Sequence, residues 1–334
     1  MRLATYNVEW FANLFDENEE LYDDGGWSGR QDVTRAQQTA ALGIVFRALD
    51  ADAVMVIEGP DSHSRRDGVK ALEGFAARFG LRARKALIGF VNDTQQEIIL
   101  MYDPDRMTAR HDPRESDGVP RFDLTFRLDL DVDRAPEVIR WSKPPLEVAL
   151  QTASGRRLRL IGVHAKSKAP HGAKGREQIM RLSIENRRKQ LAQCIWLRRR
   201  VEEDLAAGDD LIVLGDFNDG PGLDEYEKLF GRSGVEIVLG EGNGEQLFDP
   251  HARQALSKRI AAAPVSARFQ VPPDGRFLSV LLDYIMVSDG LRETDPRWCI
   301  WHPFDDPDCY ADETLRRALL TASDHFPVTL DFKD

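Results

Sequence analysis

The sequence predicts an α/β fold, and three observations carry that prediction. A β-rich run, RLATYNVEW (residues 2–10), is followed by a helix-periodic segment and then by a second apolar strand, ADAVMVIEG (51–59). The same strand, helix, strand order returns between LRLIGVHAKSK (158–168) and DLIVLGDFND (210–219). Each of these runs carries a polar residue where it leaves the core, and strand ends are where open α/β sheets gather their active groups.

The first helix reads from TRAQQTAALGIVFRALD, with Ala41, Ile44, Val45, Ala48 and Leu49 on one face and Thr34 and Gln37 at capping-box spacing. The second is a long charged rod with one apolar stripe, Leu191, Cys194, Leu197, Val201 and Leu205, at steps of three and four. Further strands are expected at DTQQEIILMYD, with Glu97 at its entrance, at FLSVLLDYIMVS, with Asp283 inside an apolar run, and at ASDHFPVTLDF, which starts with Asp324 and His325. Residues 103–145, rich in Pro, Asp and Arg, read as irregular edge strands. Segment 13–32 is acidic and turn-rich, and 240–277 reads as a long surface excursion; loops of this length are disordered or shape a site. No Pro/Gly/Ser linker separates these elements, so the expectation is one domain over 1–334.

Composition narrows the functional classes. Hydrophobic residues at 42% and charged residues at 30% describe an ordinary globular chain. The net charge of −11 excludes attachment to nucleic acid or an anionic membrane through the overall field, so a polyanionic partner has to meet a local basic patch. One candidate patch is KSKAPHGAKGREQIMR with RRKQ (166–181 and 187–190), which also reads as a solvated helix face. An odd count of three cysteines, Cys194, Cys299 and Cys309, without a CxxC pair reads as reduced packing thiols. The chain begins MRLATYNVEWF and nowhere reaches the roughly 18 apolar residues of a membrane span. No membrane insertion and a cytoplasmic location are expected.

Asn7, Glu58, His164 and Asp216 stand at the four strand ends, and the echo predicts that they converge. With Asp283, Asp324 and Asn218 they form an oxygen-rich set suited to a hard cation, of which magnesium takes only one or two carboxylates directly. The remaining acids are free for proton transfer or for orienting His164 and His325. Two His among several acids, without a Cys or a third His, argue against structural zinc. Neither a Gly-x-Ser-x-Gly elbow nor a Gly-rich phosphate loop is present.

Taken in order, TYNVEW, VIEG, VHAKSK, VLGDFND, LDYIMVS and SDHFPV resemble the endonuclease/exonuclease/phosphatase superfamily, the DNase I-like phosphoesterases, over nearly the whole chain. The resemblance implies a four-layer α/β sandwich, two mixed β-sheets face to face with helices outside. It implies hydrolysis of phosphate esters with Mg²⁺, or Mn²⁺. By the same resemblance Glu58 is the principal metal ligand with Asn7 and Asp324 beside it, and Asp216 positions or deprotonates the attacking water. Asn218 holds the phosphate or that water, and His325, paired with Asp283, stabilises transition-state charge. His164 stands near the leaving group, with Glu97 orienting it. Lys166 and Lys168 share a face with His164 in an extended segment and face a substrate phosphate. One departure is VIEGP, where Ile57 replaces the amide many members carry and Pro60 fixes the next turn.

These readings point to a metal-dependent phosphodiesterase acting on a phosphate-ester substrate. A nuclease is the first candidate, a small, inositol or lipid phosphodiester the second, and a phosphate-binding module without turnover the reading from another class. The sequence does not bear on oligomeric state.

Overall fold

The computed structural model describes residues 1–63, 66–92, 94, 96–128, 137–170, 172–220, 231–240, 242, 244–257, 263–271 and 275–334. Its strands, in chain order, are β1 (Arg2–Asn7), β2 (Ala53–Gly59), β3 (Lys85–Ile88), β4 (Glu97–Tyr102), β5 (Met107–His111), β6 (Phe126–Leu128), β7 (Glu137–Ile139) and β8 (Leu146–Thr152). They continue with β9 (Arg157–His164), β10 (Leu211–Asp216), β11 (Ala267–Val271), β12 (Arg276–Val280), β13 (Asp283–Val287), β14 (Arg297–Ile300) and β15 (Val328–Asp331). A six-stranded sheet runs β14-β15-β1-β2-β4-β3, and a five-stranded sheet runs β13-β10-β9-β8-β5. Both are mixed: β1 lies parallel to β2 and β9 parallel to β10, while the other pairs are antiparallel.

Period-two alternation along the strands produces the layers. In β2, Val54 and Val56 face helices α1 (Arg35–Leu49) and α2 (Gly68–Phe79), packing on Leu42, Val45, Phe46, Leu72 and Phe75. The alternate residues Met55 and Ile57 face the second sheet and share a buried core with Leu146, Val148, Leu160, Ile212 and Leu214. The outer face of the five-stranded sheet, with Ile161, Val163, Val213, Tyr284 and Met286, packs on Trp196, Leu197 and Val201 of helix α3 (Arg176–Ala206). Three apolar interfaces therefore separate four layers, the sandwich that the resemblance implied. The sheets approach closely at Gly162, where a Cβ would lie 2.5 Å from the Met55 sulfur.

Most expected elements form where the periodicity puts them, including the capping box at Thr34 and Gln37. Two differ. The run FLSVLLDYIMVS is split between β12, which pairs with β11 as a separate hairpin, and β13, which joins the five-stranded sheet. Between them, Leu282 N–H and Asp283 N–H both donate to Ser266 Oγ (2.9 Å each), which turns the chain and seats Asp283 at the strand start. In ASDHFPVTLDF only Val328–Asp331 is strand, because Pro327 has no N–H to give a ladder. The turn before it is tied by Ser323 Oγ, which donates to Asn7 O (2.7 Å) and accepts from His325 N–H (3.1 Å).

Residues 103–145 hold β5, an edge strand, and the small β6–β7 ladder; 129–136 lie outside the described residues. Segment 240–277 contains the helix Pro250–Leu256 and β11, with 241, 243, 258–262 and 272–274 outside the described residues. Segment 13–32 is held down by Asn13 on Ser28 O (3.0 Å) and by the ion pair of Arg30 with Glu9.

Candidate active site

Asn7 ends β1, Glu58 stands one residue from the end of β2, His164 ends β9 and Asp216 ends β10. All four are at the carboxyl ends of strands that pair in parallel, so the topology brings them to one edge of the sandwich. Register then sets three residues abreast in the second sheet: Asp216 is opposite His164 on β9 and opposite Asp283 on β13. Gly215 makes this approach feasible, since its φ of 139° brings its Cα so close to Val163 O that a Cβ would collide. On the other sheet the β2–β4 ladder slips between Val56 and Gly59, and Glu58 sits at that bulge with φ 62°. The bulge re-aims a side chain that regular alternation would place elsewhere.

Asp216 is buried and held on three sides. Its Oδ2 accepts from the amides of Asn7 and Asn218 (3.1 Å each), and its Oδ1 accepts from the Asn218 backbone N–H (2.7 Å). Asn218, at φ 49°, also donates to Ala165 O (3.1 Å), and Gln190 of α3 donates to Asn218 O (2.8 Å). Burial pushes Asp216 up to about 7; a charged His325 pulls it down, while Asp283 and Glu58 add to the rise. Asp283 Oδ2 accepts from Ser266 Oγ (2.8 Å) and pairs with His325 Nδ1 (2.8 Å). Burial opposes charge on His325, yet Asp283, Asp216 and Asp324 together hold its pKa well above the ordinary value. His164 shows the opposite balance: burial, then Lys143 and His325, hold it well below. One neutral and one charged imidazole thus stand on either side of Asp216.

The structure brings together Asn7, Glu58, His164, Asp216, Asn218, Asp283, Asp324 and His325. His164 Nε2 lies 3.9 Å from Glu58 and 3.7 Å from Asp216, and His325 Nε2 lies 3.9 Å from Asp324. Two expectations are met differently. Glu97 is buried at the start of β4, with its carboxylate on Asn92 Nδ2 (2.6 Å) and Asn92 N–H (3.3 Å), and none of its hydrogen bonds goes to His164 among the described residues. Strand β9 ends at His164, so the extended face shared by His164, Lys166 and Lys168 is not built. Lys168 instead forms an ion pair with buried Asp219, and Lys166 reaches Ser167 O (3.3 Å).

Sequence reasoning missed Lys143 and Glu9. Lys143, from a loop before β8, places Nζ 3.2 Å from both ring nitrogens of His164; burial lowers its pKa, and Glu58 and Asp216 oppose that. Glu9 at φ 30° accepts from Asp324 N–H (3.3 Å), and burial with the adjacent Asp324 charge pushes it up to about 7. The available signal for Lys143 was a lysine before two prolines in an apolar stretch; Glu9 lay inside the first motif.

A family model of the endonuclease/exonuclease/phosphatase family matches residues 4–325. The chain belongs to this family. It is accordingly a hydrolase acting on phosphate ester bonds, in a family that depends on a metal. Among solved structures, the chain is similar to TDP2 from Caenorhabditis elegans, at 13% identity and TM-score 0.52, covering 100% of this chain and 75% of that one. It is similar to the mannosyl-6-phosphatase of Bacteroides thetaiotaomicron, at 15% identity and TM-score 0.51, with 100% of both chains covered. A 3'-5' exonuclease from Neisseria meningitidis gives 14% identity and TM-score 0.51, again over 100% of both. At these identities the likeness is one of fold. No curated protein sequence matches the chain significantly.

Within this phosphoesterase the donor set fits a hard cation. Asp283 Oδ1 and Asp324 Oδ1 are buried oxygens without a hydrogen-bond partner among the described residues, and such atoms call for a cation or a donor. Asp216, Asp283 and His325 offer ligand atoms within 4.8 Å of one another. A charged imidazole has no lone pair to offer, so His325 in that form would not itself be a ligand, and the oxygens of the acids would be the donors. No helix among the described residues is long and apolar enough to cross a membrane.

Proposed function

We propose that this chain is a metal-dependent phosphodiesterase whose first substrate class is nucleic acid. The observation that carries the proposal is Asp216, held by two amides between neutral His164 and charged His325. A carboxylate raised to about 7 takes a proton from water at neutral pH more readily than an ordinary one. In this reading Asp216 orients and deprotonates the attacking water, Asn218 fixes the phosphate or that water, and the charged His325 faces the oxygens on which negative charge collects. Asp283 keeps His325 charged and oriented. Glu58, Asn7 and Asp324 would hold the cation, Mg²⁺ or Mn²⁺, which when bound supplies Lewis-acid polarisation of the phosphoryl oxygens.

A diester has two esterified arms, and the site has a flank for each. On one side Trp10, exposed, donates its backbone N–H to Glu58 (3.3 Å). On the same rim Arg268, whose N–H donates to Asp324 O (2.7 Å), lies over the exposed rings of Phe277 and Phe304 at 4.0 and 6.0 Å. Exposed rings beside a phosphoryl site suit stacking of bases. For the other arm there is a groove whose lining includes Lys166, two residues beyond His164. The net charge of −11 favours the second reading, a small, inositol or lipid phosphodiester. The interleaving of N- and C-terminal strands in one sheet supports a single domain, and the three free thiols support a cytoplasmic location.

The test is hydrolysis of bis-p-nitrophenyl phosphate, p-nitrophenyl phosphate, a single-stranded oligonucleotide and plasmid DNA, with Mg²⁺ or Mn²⁺ and then with EDTA. Diester cleavage that EDTA abolishes is expected, and Asp216→Asn should lower it by about 10²–10⁴. Cleavage of the monoester alone, or of none of the four, overturns the proposal.

A further inference from the structure

A groove of about 980 Å³ is lined by Lys166, two residues beyond His164, and by Pro144, the neighbour of Lys143, which set it beside the catalytic residues. Arg140 and Lys189 of α3 line it too. No carboxylate lies within ion-pair distance of Arg140, Lys166 or Lys189 among the described residues, whereas the two acids of the same wall are already neutralised. Asp123 is bound by Arg121 (2.8 Å) and Glu137 by Arg188 (2.6 Å). Burial and the nearby charge of Lys189 both disfavour the charged form of Lys166, so these two side chains lie close enough to share one anion.

The lining also has an accessible apolar part, in which Val91, Leu124 and Val138 are 60%, 40% and 55% exposed, beside polar side chains such as Asn92, Ser142 and Gln193. Trp141 also lines the groove and carries a buried indole N–H without an acceptor among the described residues. On a protein of net charge −11, three cations in one groove without a carboxylate partner among the described residues form a local site for an anion.

We propose that this groove binds the second phosphate of a nucleotide strand whose first phosphate is at Asp216 and His325, with the apolar wall against the intervening sugar and base. This rests on the phosphodiesterase reading and narrows it to substrates that carry a further phosphate next to the scissile one. Arg140, Lys166 and Lys189 supply charge-assisted hydrogen bonds to that phosphate.

The experiment compares thymidine 5'-(p-nitrophenyl phosphate) with and without a 3'-phosphate, so that only the second phosphate differs. In the native protein kcat/KM should be higher for the bisphosphate by about tenfold, and Lys189→Glu and Arg140→Glu should each erode that ratio. Lys189→Arg should keep it. An equal kcat/KM for the two esters, or a ratio unchanged in the Lys189→Glu, Arg140→Glu double variant, overturns the proposal. Failure to cleave either ester sinks the phosphodiesterase reading instead. In that event calorimetric titration with thymidine 3',5'-bisphosphate and thymidine 5'-monophosphate decides the groove: tighter binding of the bisphosphate, lost in Lys189→Glu, supports it, and equal binding refutes it.

Discussion

The ammonium of Lys143 stands 3.2 Å from both ring nitrogens of His164. A point equally near to both nitrogens lies over the ring face, since the in-plane position is filled by the Cε1–H between them. Lys143 is thus a cation stacked on an imidazole rather than a partner in a linear hydrogen bond, and it helps to keep His164 neutral. The sequence resemblance sets His164 near the leaving group, so the proton-rich member of this pair is the lysine.

The first prediction follows from that pair. Lys143→Met should lower kcat on an oligonucleotide, whose alkoxide leaves poorly, by about 10²-fold or more. It should cost much less on bis-p-nitrophenyl phosphate, because nitrophenolate leaves without a proton. Equal losses on both substrates would rule out a role at the leaving group. Near-native unfolding temperature in the variant is the control for folding.

The His325–Asp283 pair makes a prediction in pH. His325 is held well above its ordinary pKa, so its stabilising contribution is fully present below about pH 6.5 and is lost as pH rises through the folded value. Asp283→Asn removes the closest source of that shift. The alkaline limb of kcat/KM should move to lower pH, with a larger loss at pH 8 than at pH 6. Stability should fall by about 3 kcal/mol as a buried charge is left unpaired. A pH profile that keeps its shape while dropping in height would show that Asp283 does not act through His325.

Four of the site residues were legible because they follow from topology. Asn7, Glu58, His164 and Asp216 terminate strands of two repeated units, and parallel pairing sends all four to one edge. Asp283 was legible for another reason, since an acid within an apolar run needs a partner. Lys143, Glu9 and Ser266 come from loops, where no period relates one residue to its neighbour in space. Glu97 and Lys168 were misplaced for the same reason: periodicity reports which face a side chain takes, while its partner is set by whichever group, here Asn92 or Asp219, the next loop delivers. The split of residues 277–288 turned on Ser266, which lies outside that run.

Crowding of acids gives a prediction with opposite signs in two conditions. Burial, with Asp324 nearby, raises Glu58 above the ordinary carboxylate value, so without a cation its charge is costly. In EDTA, Glu58→Gln should raise the unfolding temperature. Saturating Mn²⁺ or Mg²⁺ should stabilise the native protein, by about 2.7 kcal/mol at a hundred times Kd, and should leave Glu58→Gln nearly unchanged. A variant that gains as much from the cation as the native protein does would remove Glu58 from the metal site.

Glu97 separates a structural from a catalytic role. Burial pushes it up to about 7, with Asn92 N–H opposing and Asp61 adding to the rise. For an acid whose folded pKa is raised, the folded state binds the proton more tightly, so stability falls as pH climbs from about 4.5 through 7, by at most about 3 kcal/mol. Glu97→Gln cannot ionise and keeps the shape of the side chain. Its stability should therefore change less than that of the native protein between pH 5 and pH 8, measured by urea unfolding, and at pH 8 it should be the more stable of the two. Because the carboxylate binds Asn92 and not His164, turnover should largely survive the substitution. A collapse of kcat with an unaltered pH dependence of stability would restore Glu97 as the residue that orients His164.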